Sequence, residues 1–163
     1  MSDPVAVLRL TPRAEHVARA LLAAFPSTVF TSGRRDRAAQ AQAMGRNVVA
    51  FGRRWISKTY KDGPVTRALQ AWLDQHPAVV TFGMIVNGLL SVLYGFDDDA
   101  LVRFTNHFDG NAFDVQPVHG TGGAKVHAWL RAREDITFLD HEGGAERWHV
   151  AAVKDAPTAQ GGA

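Results

Sequence analysis

Apolar residues recur at helical spacing through most of the first hundred positions of this chain, then switch to the two-residue alternation of strands. Val5–Leu10 is the exception near the start and predicts a short strand. Thr11 followed by Pro12 is a helix start, and Val17, Leu21 and Leu22 supply an inward stripe for a helix ending near Ala24. Ser27–Thr31 is rich in strand formers and leads into Ser32-Gly33-Arg34-Arg35. A second helix is predicted over about Asp36–Val49. A third opens at Asp62-Gly63-Pro64, carries Val65, Leu69, Trp72 and Leu73 on one face, and stops near His76-Pro77. Further helices are predicted at about 83–94 and 98–104. Beyond these, Ala112–Val118, Ile136–Leu139 and Arg147–Val153 are strand candidates, and Gly122–Arg133 is helical. Gly143-Gly144 sits where a hairpin turn between the last two strands requires it. The pattern is that of one α+β domain over residues 1–154 with no internal repeat. The small, polar residues 155–163 form a tail expected to be disordered.

Composition narrows this little. A chain of 163 residues, 46% hydrophobic and 21% charged, has the length and balance of a single globular domain with a real core. The lack of cysteine has more consequence: disulfides and thiolate metal sites are excluded, so any metal must be held by nitrogen and oxygen. Net charge is only +2, but Arg34, Arg35, Arg37, Arg46, Arg53, Arg54, Lys58 and Lys61 crowd the first half. Such a stretch could meet nucleic acid or an anionic polymer such as a cell wall. No nucleic-acid motif accompanies it, and solvated helix faces are the simpler account. Phe82–Tyr94, the longest apolar run, is interrupted by Gly83, Asn87, Gly88 and Ser91 and is too short to span a bilayer, so it predicts a buried helix. Met1-Ser2-Asp3-Pro4 lacks the basic start of a secretory peptide, which predicts synthesis as a cytoplasmic species.

The chemistry concentrates in two segments. One is Thr105-Asn106-His107-Phe108-Asp109-Gly110-Asn111-Ala112-Phe113-Asp114, and the other is Glu146-Arg147-Trp148-His149. Asp109-Gly110-Asn111 argues for a turn, which would set His107 in a loop and Asp114 on the strand behind it. On a regular strand Glu146 and His149 point to opposite faces; a bend or bulge would bring them to one side. Three protein ligands with a fourth position left to water is the arrangement of catalytic zinc, and a spare glutamate can handle that water's proton. His141-Glu142-Gly143-Gly144-Ala145 begins like a His-Glu-x-x-His helix, but its fifth residue is alanine and its glycines oppose a helix.

Taken together, these residues resemble the zinc D-alanyl-D-alanine carboxypeptidase family, which includes phage L-alanyl-D-glutamate endolysins and D,D-dipeptidases and shares its fold with the Hedgehog signalling domain. The pattern Ser/Thr-x-His-x-x-Gly-x-Ala-x-Asp is matched at Thr105, His107, Gly110, Ala112 and Asp114, and Glu-x-Trp-His at Glu146, Trp148 and His149. A Ser-Gly-x-Arg block with a downstream glutamine appears as Ser32, Gly33, Arg35 and Gln40; where Arg34 stands the family usually has an aromatic. The resemblance implies a small antiparallel sheet carrying a zinc site, with helices packed around it. It implies His107, Asp114 and His149 as zinc ligands and Glu146 as general base and then acid. Arg35 would stabilise the oxyanion or hold a substrate carboxylate, while Gln40 either braces the arginine loop or sits exposed. Thr105 and Trp148 are candidate substrate contacts, Thr105 alternatively orienting His107 and Trp148 packing the base of the site. The implied activity is hydrolysis of stem-peptide bonds in peptidoglycan, in the manner of a phage or prophage endolysin. A cytosolic D-Ala-D-Ala dipeptidase and a non-catalytic, zinc-dependent wall-binding module are the alternatives. His16, His76, His119, His127 and His141 have no place in the pattern, although His119 is near enough in sequence to Asp114 to approach the site.

Overall fold

The computed structural model describes residues 3–153; the tail expected over 155–163 lies outside them. In chain order the elements are α1 (Pro12–Ala24), β1 (Phe30–Ser32), α2 (Arg37–Phe51), α3 (Trp55–Thr59), α4 (Pro64–Gln75), α5 (Phe82–Tyr94), α6 (Asp98–Phe104), β2 (Ala112–Val115), α7 (Gly120–Arg131), β3 (Ile136–Glu142) and β4 (Ala145–Ala152). Capping side chains set several helix starts. Thr11 Oγ1 accepts from the Ala14 amide at 3.3 Å, Asp36 Oδ1 from Ala39 at 2.8 Å and Asp97 Oδ1 from Ala100 at 2.7 Å. Each satisfies an amide that a helix start leaves without a partner.

Residues 5–10 are not a strand. Ala6–Leu8 is a 3-10 turn, because Asp3 Oδ1 accepts from the Val5 and Ala6 amides and draws the backbone round. Val5 and Leu8, three apart, then share the buried side. α3 was not anticipated; five residues are too few to show a period, and it is held by burial of Trp55 and Ile56. The apolar run of α5 is helical, but it buries one face through Ile85, Leu89 and Leu93 and leaves Phe82, Met84 and Tyr94 exposed. No helix among the described residues is long and apolar enough to cross a membrane.

The four strands form one antiparallel sheet in the order β1-β2-β4-β3. Its two faces have different companions. Phe113, Val115, Trp148 and Val150 pack with Val17 and Leu21 of α1 and Val126 and Leu130 of α7. A second core, built from Met44, Val48, Ile56, Leu69, Leu73, Leu89 and Leu101, holds α2 to α6 together as a helical layer. Both belong to a single compact α+β domain. Ala112 and Asp114 alternate with Phe113 and Val115 on β2, so they face away from the first core.

Candidate metal centre

β2 and β4 bring the first two groups together by register. Asp114 lies directly opposite His149, the closest relation two residues on neighbouring strands can have. His149 Nδ1 is 2.9 Å from Asp114 Oδ1. The third group arrives from the loop before β2. That loop turns at Gly110, whose φ of 78° lies in the left-handed region. Asn111 pins it to the sheet end by donating from Nδ2 to the Ala152 carbonyl at 2.6 Å. His107 is stitched to the segment after β1 in both directions. Its Nδ1 is 2.8 Å from the Gly33 carbonyl oxygen, and its own carbonyl accepts from the Arg35 amide at 2.9 Å. Thr105 Oγ1 lies 3.5 Å from the His107 amide, at the outer limit of a hydrogen bond.

The protonation pattern follows from these partners. A carbonyl oxygen only accepts, so Nδ1 of His107 carries the hydrogen, and in the neutral ring Nε2 presents a lone pair. That lone pair faces Asp114 Oδ1 across 3.4 Å. Burial pushes the His107 pKa below its ordinary 6.5 and outweighs the hydrogen bond and charge of Asp114, which pull it up. For Asp114, burial acts to raise the pKa. Its contacts with His107 and His149 and the nearby Arg35 charge prevail, so the carboxyl is held well below 3.8. His107 Nε2 and Asp114 Oδ1 thus face one another in a buried space, where a cation would be a partner to both. The ligand atoms of His107, Asp114 and His149 all lie within 4.8 Å of one another. The side chains are 4%, 4% and 11% exposed. This buried cluster can hold a metal ion, and its two imidazoles and one carboxylate suit zinc and other divalent ions.

Around it stands a chain of polar side chains. Arg35 Nη2 donates to Asp114 Oδ2 at 2.6 Å, Nε to Ser32 Oγ at 2.7 Å and Nη1 to Gln40 Oε1 at 3.3 Å. All three guanidinium nitrogens are thus engaged, and Arg35 holds the carboxylate rather than presenting a free fork. Gln40 is wholly buried and donates from Nε2 to the Tyr60 hydroxyl at 2.8 Å, so it braces the arginine. Burial pushes the Tyr60 hydroxyl well above the usual phenol range. Nothing in the sequence marked Tyr60 for this place; its contact is made twenty residues from Gln40 across the helical layer.

Comparisons with protein-family models, with curated proteins and with solved structures gave no match.

Glu146 and His149 are three apart on β4, yet they share a face. Leu139 lies opposite His149 and His141 opposite Glu146, so two steps along β3 match three along β4. The extra residue is a bulge, and it restores Glu146 to the side of His149. The Glu146 side chain is 40% exposed, with its Oε2 3.8 Å from His119 Nε2. Trp148 points the other way. It is 3% exposed and packs in the first core with Phe138 and His127, so it supports β4 from behind and does not reach the face that carries the cluster.

Proposed function

We propose that this chain is a metal-dependent peptidase of the D-alanyl-D-alanine carboxypeptidase kind, hydrolysing stem-peptide bonds of peptidoglycan with zinc as its cofactor. The observation that carries the proposal is the convergence of His107, Asp114 and His149 in one buried cluster, with Glu146 brought by the β4 bulge to the same sheet face. The Hedgehog and D,D-peptidase architecture belongs to the same proposal. A small antiparallel sheet with this cluster on one face and helices packed around it supports that assignment.

A divalent ion at the cluster would supply a Lewis acid for a peptide carbonyl and raise the acidity of water beside it. The residues divide the remaining work. Glu146, half in solvent, takes the proton of the attacking water and passes it to the leaving amine. Arg35 fixes the carboxylate of Asp114 through a charge-assisted bond, with Ser32 and Gln40 fixing Arg35 in turn. Service to an oxyanion would require one of those bonds to be released. Gly33 supplies the carbonyl that sets the tautomer of His107, the role that outer partners of ligating histidines commonly fill.

The test is digestion of purified peptidoglycan by the wild type and Glu146→Gln, with mass spectrometry of released fragments and metal analysis of both proteins. The wild type should release stem peptides whose ends name the bond. The variant should keep its metal and lose roughly 10²–10⁴-fold in rate. A fully metallated wild type that frees no peptide from walls or muropeptides sinks the proposal.

A further inference from the structure

A cleft of about 550 Å³ opens beside Arg35, on residues other than the metal cluster. Four arginines line it: Arg9, Arg34, Arg35 and Arg37. Two are committed. Arg35 is bound to Asp114, and Arg37 Nη2 reaches Asp98 at 2.8 Å and the Phe96 carbonyl at 3.0 Å. Arg9 and Arg34 are exposed, and neither guanidinium has a side-chain partner among the described residues.

The fold holds these two residues side by side. The Arg34 amide donates to the carbonyl of Leu8, the residue before Arg9, at 2.8 Å. Arg9 itself is the one non-glycine residue with positive φ among those described, at 53°. That conformation closes the 3-10 turn, the Arg9 amide donating to the Ala6 carbonyl, and so fixes where the side chain leaves the backbone. The apolar part of the cleft's lining is Leu101, Val102 and Phe108.

Charge balance says what kind of ligand fits. Asp36 and Asp109 also line the cleft, and each accepts a backbone amide, from Ala39 and Asn111. With Arg35 and Arg37 neutralised by their partners, two arginines face two aspartates. There is no strong positive field of the kind that gathers a nucleic acid or another polyanion. What the cleft offers is guanidinium N–H donors, the groups that recognise a single carboxylate or phosphate.

We propose that this cleft is an oxyanion subsite, in which Arg9 and Arg34 clamp one carboxylate or phosphate group of a ligand whose apolar part lies on Leu101, Val102 and Phe108. The inference rests on the cleft alone and stands whether or not the chain cleaves peptides.

The experiment is isothermal titration calorimetry of the full chain at fixed ionic strength, with inorganic phosphate and with N-acetyl-D-alanine as separate probes. Wild type is compared with Arg34→Gln, with the double variant Arg9→Gln/Arg34→Gln, and with Arg46→Gln, an exposed α2 arginine outside the cleft. Circular dichroism melting of each variant checks its fold. Because Arg9 occupies a left-handed position, the single Arg34 variant keeps the test decisive if the double variant is poorly folded. The double variant should bind the preferred probe at least tenfold more weakly, about 1.4 kcal/mol. Arg34→Gln should lose a substantial part of that, and Arg46→Gln nothing. Tighter phosphate binding assigns a phosphoryl ligand, and tighter acetyl-D-alanine binding a carboxylate. Equal affinity across all four proteins, or no saturable heat from either probe in the wild type, overturns the subsite.

Discussion

His107 and Asp114 show how burial and partners decide what a donor set can do. Each is held in the protonation state that a metal needs, a neutral imidazole and an ionised carboxylate. Both preferences make acid destabilising, but in different windows. An unfolded chain takes up a proton on histidine near 6.5, while folded His107 resists to lower pH, so its contribution begins to fall as pH drops through 6.5. That of Asp114 is fully present above 3.8 and is lost below it, toward its depressed folded value. In metal-free protein the urea midpoint should therefore decline between about pH 7.5 and 5, and His107→Gln should flatten that decline. Parallel slopes for the two proteins would show that His107 is not held neutral. The sequence already named both residues, not from their spacing alone but from the resemblance that the motif blocks carry together. It could not name the tautomer, which depends on a carbonyl 74 residues away.

At the scale of elements, the β3–β4 hairpin does two jobs. Gly143 and Gly144 have φ of 59° and 86°, the left-handed pair that a tight two-residue hairpin demands, and the paired glycines announced it. Gly143 also lies against α3. A Cβ there would sit 2.2 Å from Trp55 Nε1 and 2.4 Å from Thr59 Oγ1. Gly143→Ala should cost roughly 1–3 kcal/mol from backbone strain, with the clash adding to it. Guanidinium unfolding is the measurement, and a midpoint equal to the wild type would mean that hairpin and α3 are not packed as described. The bulge on β4 was legible only as a condition. Glu146 and His149 had to share a face for the chemistry to work, and it is the pairing with β3 that puts them there. Two elements escaped or misled the pattern, each for its own reason. α3 is too short to show a period, and residues 5–10 obey the Asp3 side chain rather than their strand-like composition.

For the whole molecule, the metal cluster sits where the sheet meets the segment leading into the helical layer. His107 precedes β2, Gly33 and Arg35 lie between β1 and α2, and Gln40 belongs to α2 itself. An ion bound to the folded cluster and not to the unfolded chain should therefore stabilise the entire domain. At a free concentration one hundred times its dissociation constant the gain is about 2.7 kcal/mol. Thermal unfolding with and without excess zinc should show a melting temperature several degrees higher with metal, reversed by chelator and absent in His107→Ala. A zinc-dependent shift that survives His107→Ala would move the metal elsewhere in the molecule.

By itself, the sequence determined what local chemistry and spacing can carry. That includes the nitrogen and oxygen donor set in a chain without cysteine, the cap at Thr11, the glycine turns, and the α+β order of helices and strands. Tertiary structure alone decided which groups face one another. It set Arg35 on Asp114, Tyr60 on Gln40, Trp148 behind the sheet, and Arg9 beside Arg34. The division follows from range. Backbone preference is a matter of neighbours a few residues apart, whereas protonation, tautomer and charge pairing depend on partners that only the closed chain brings into contact.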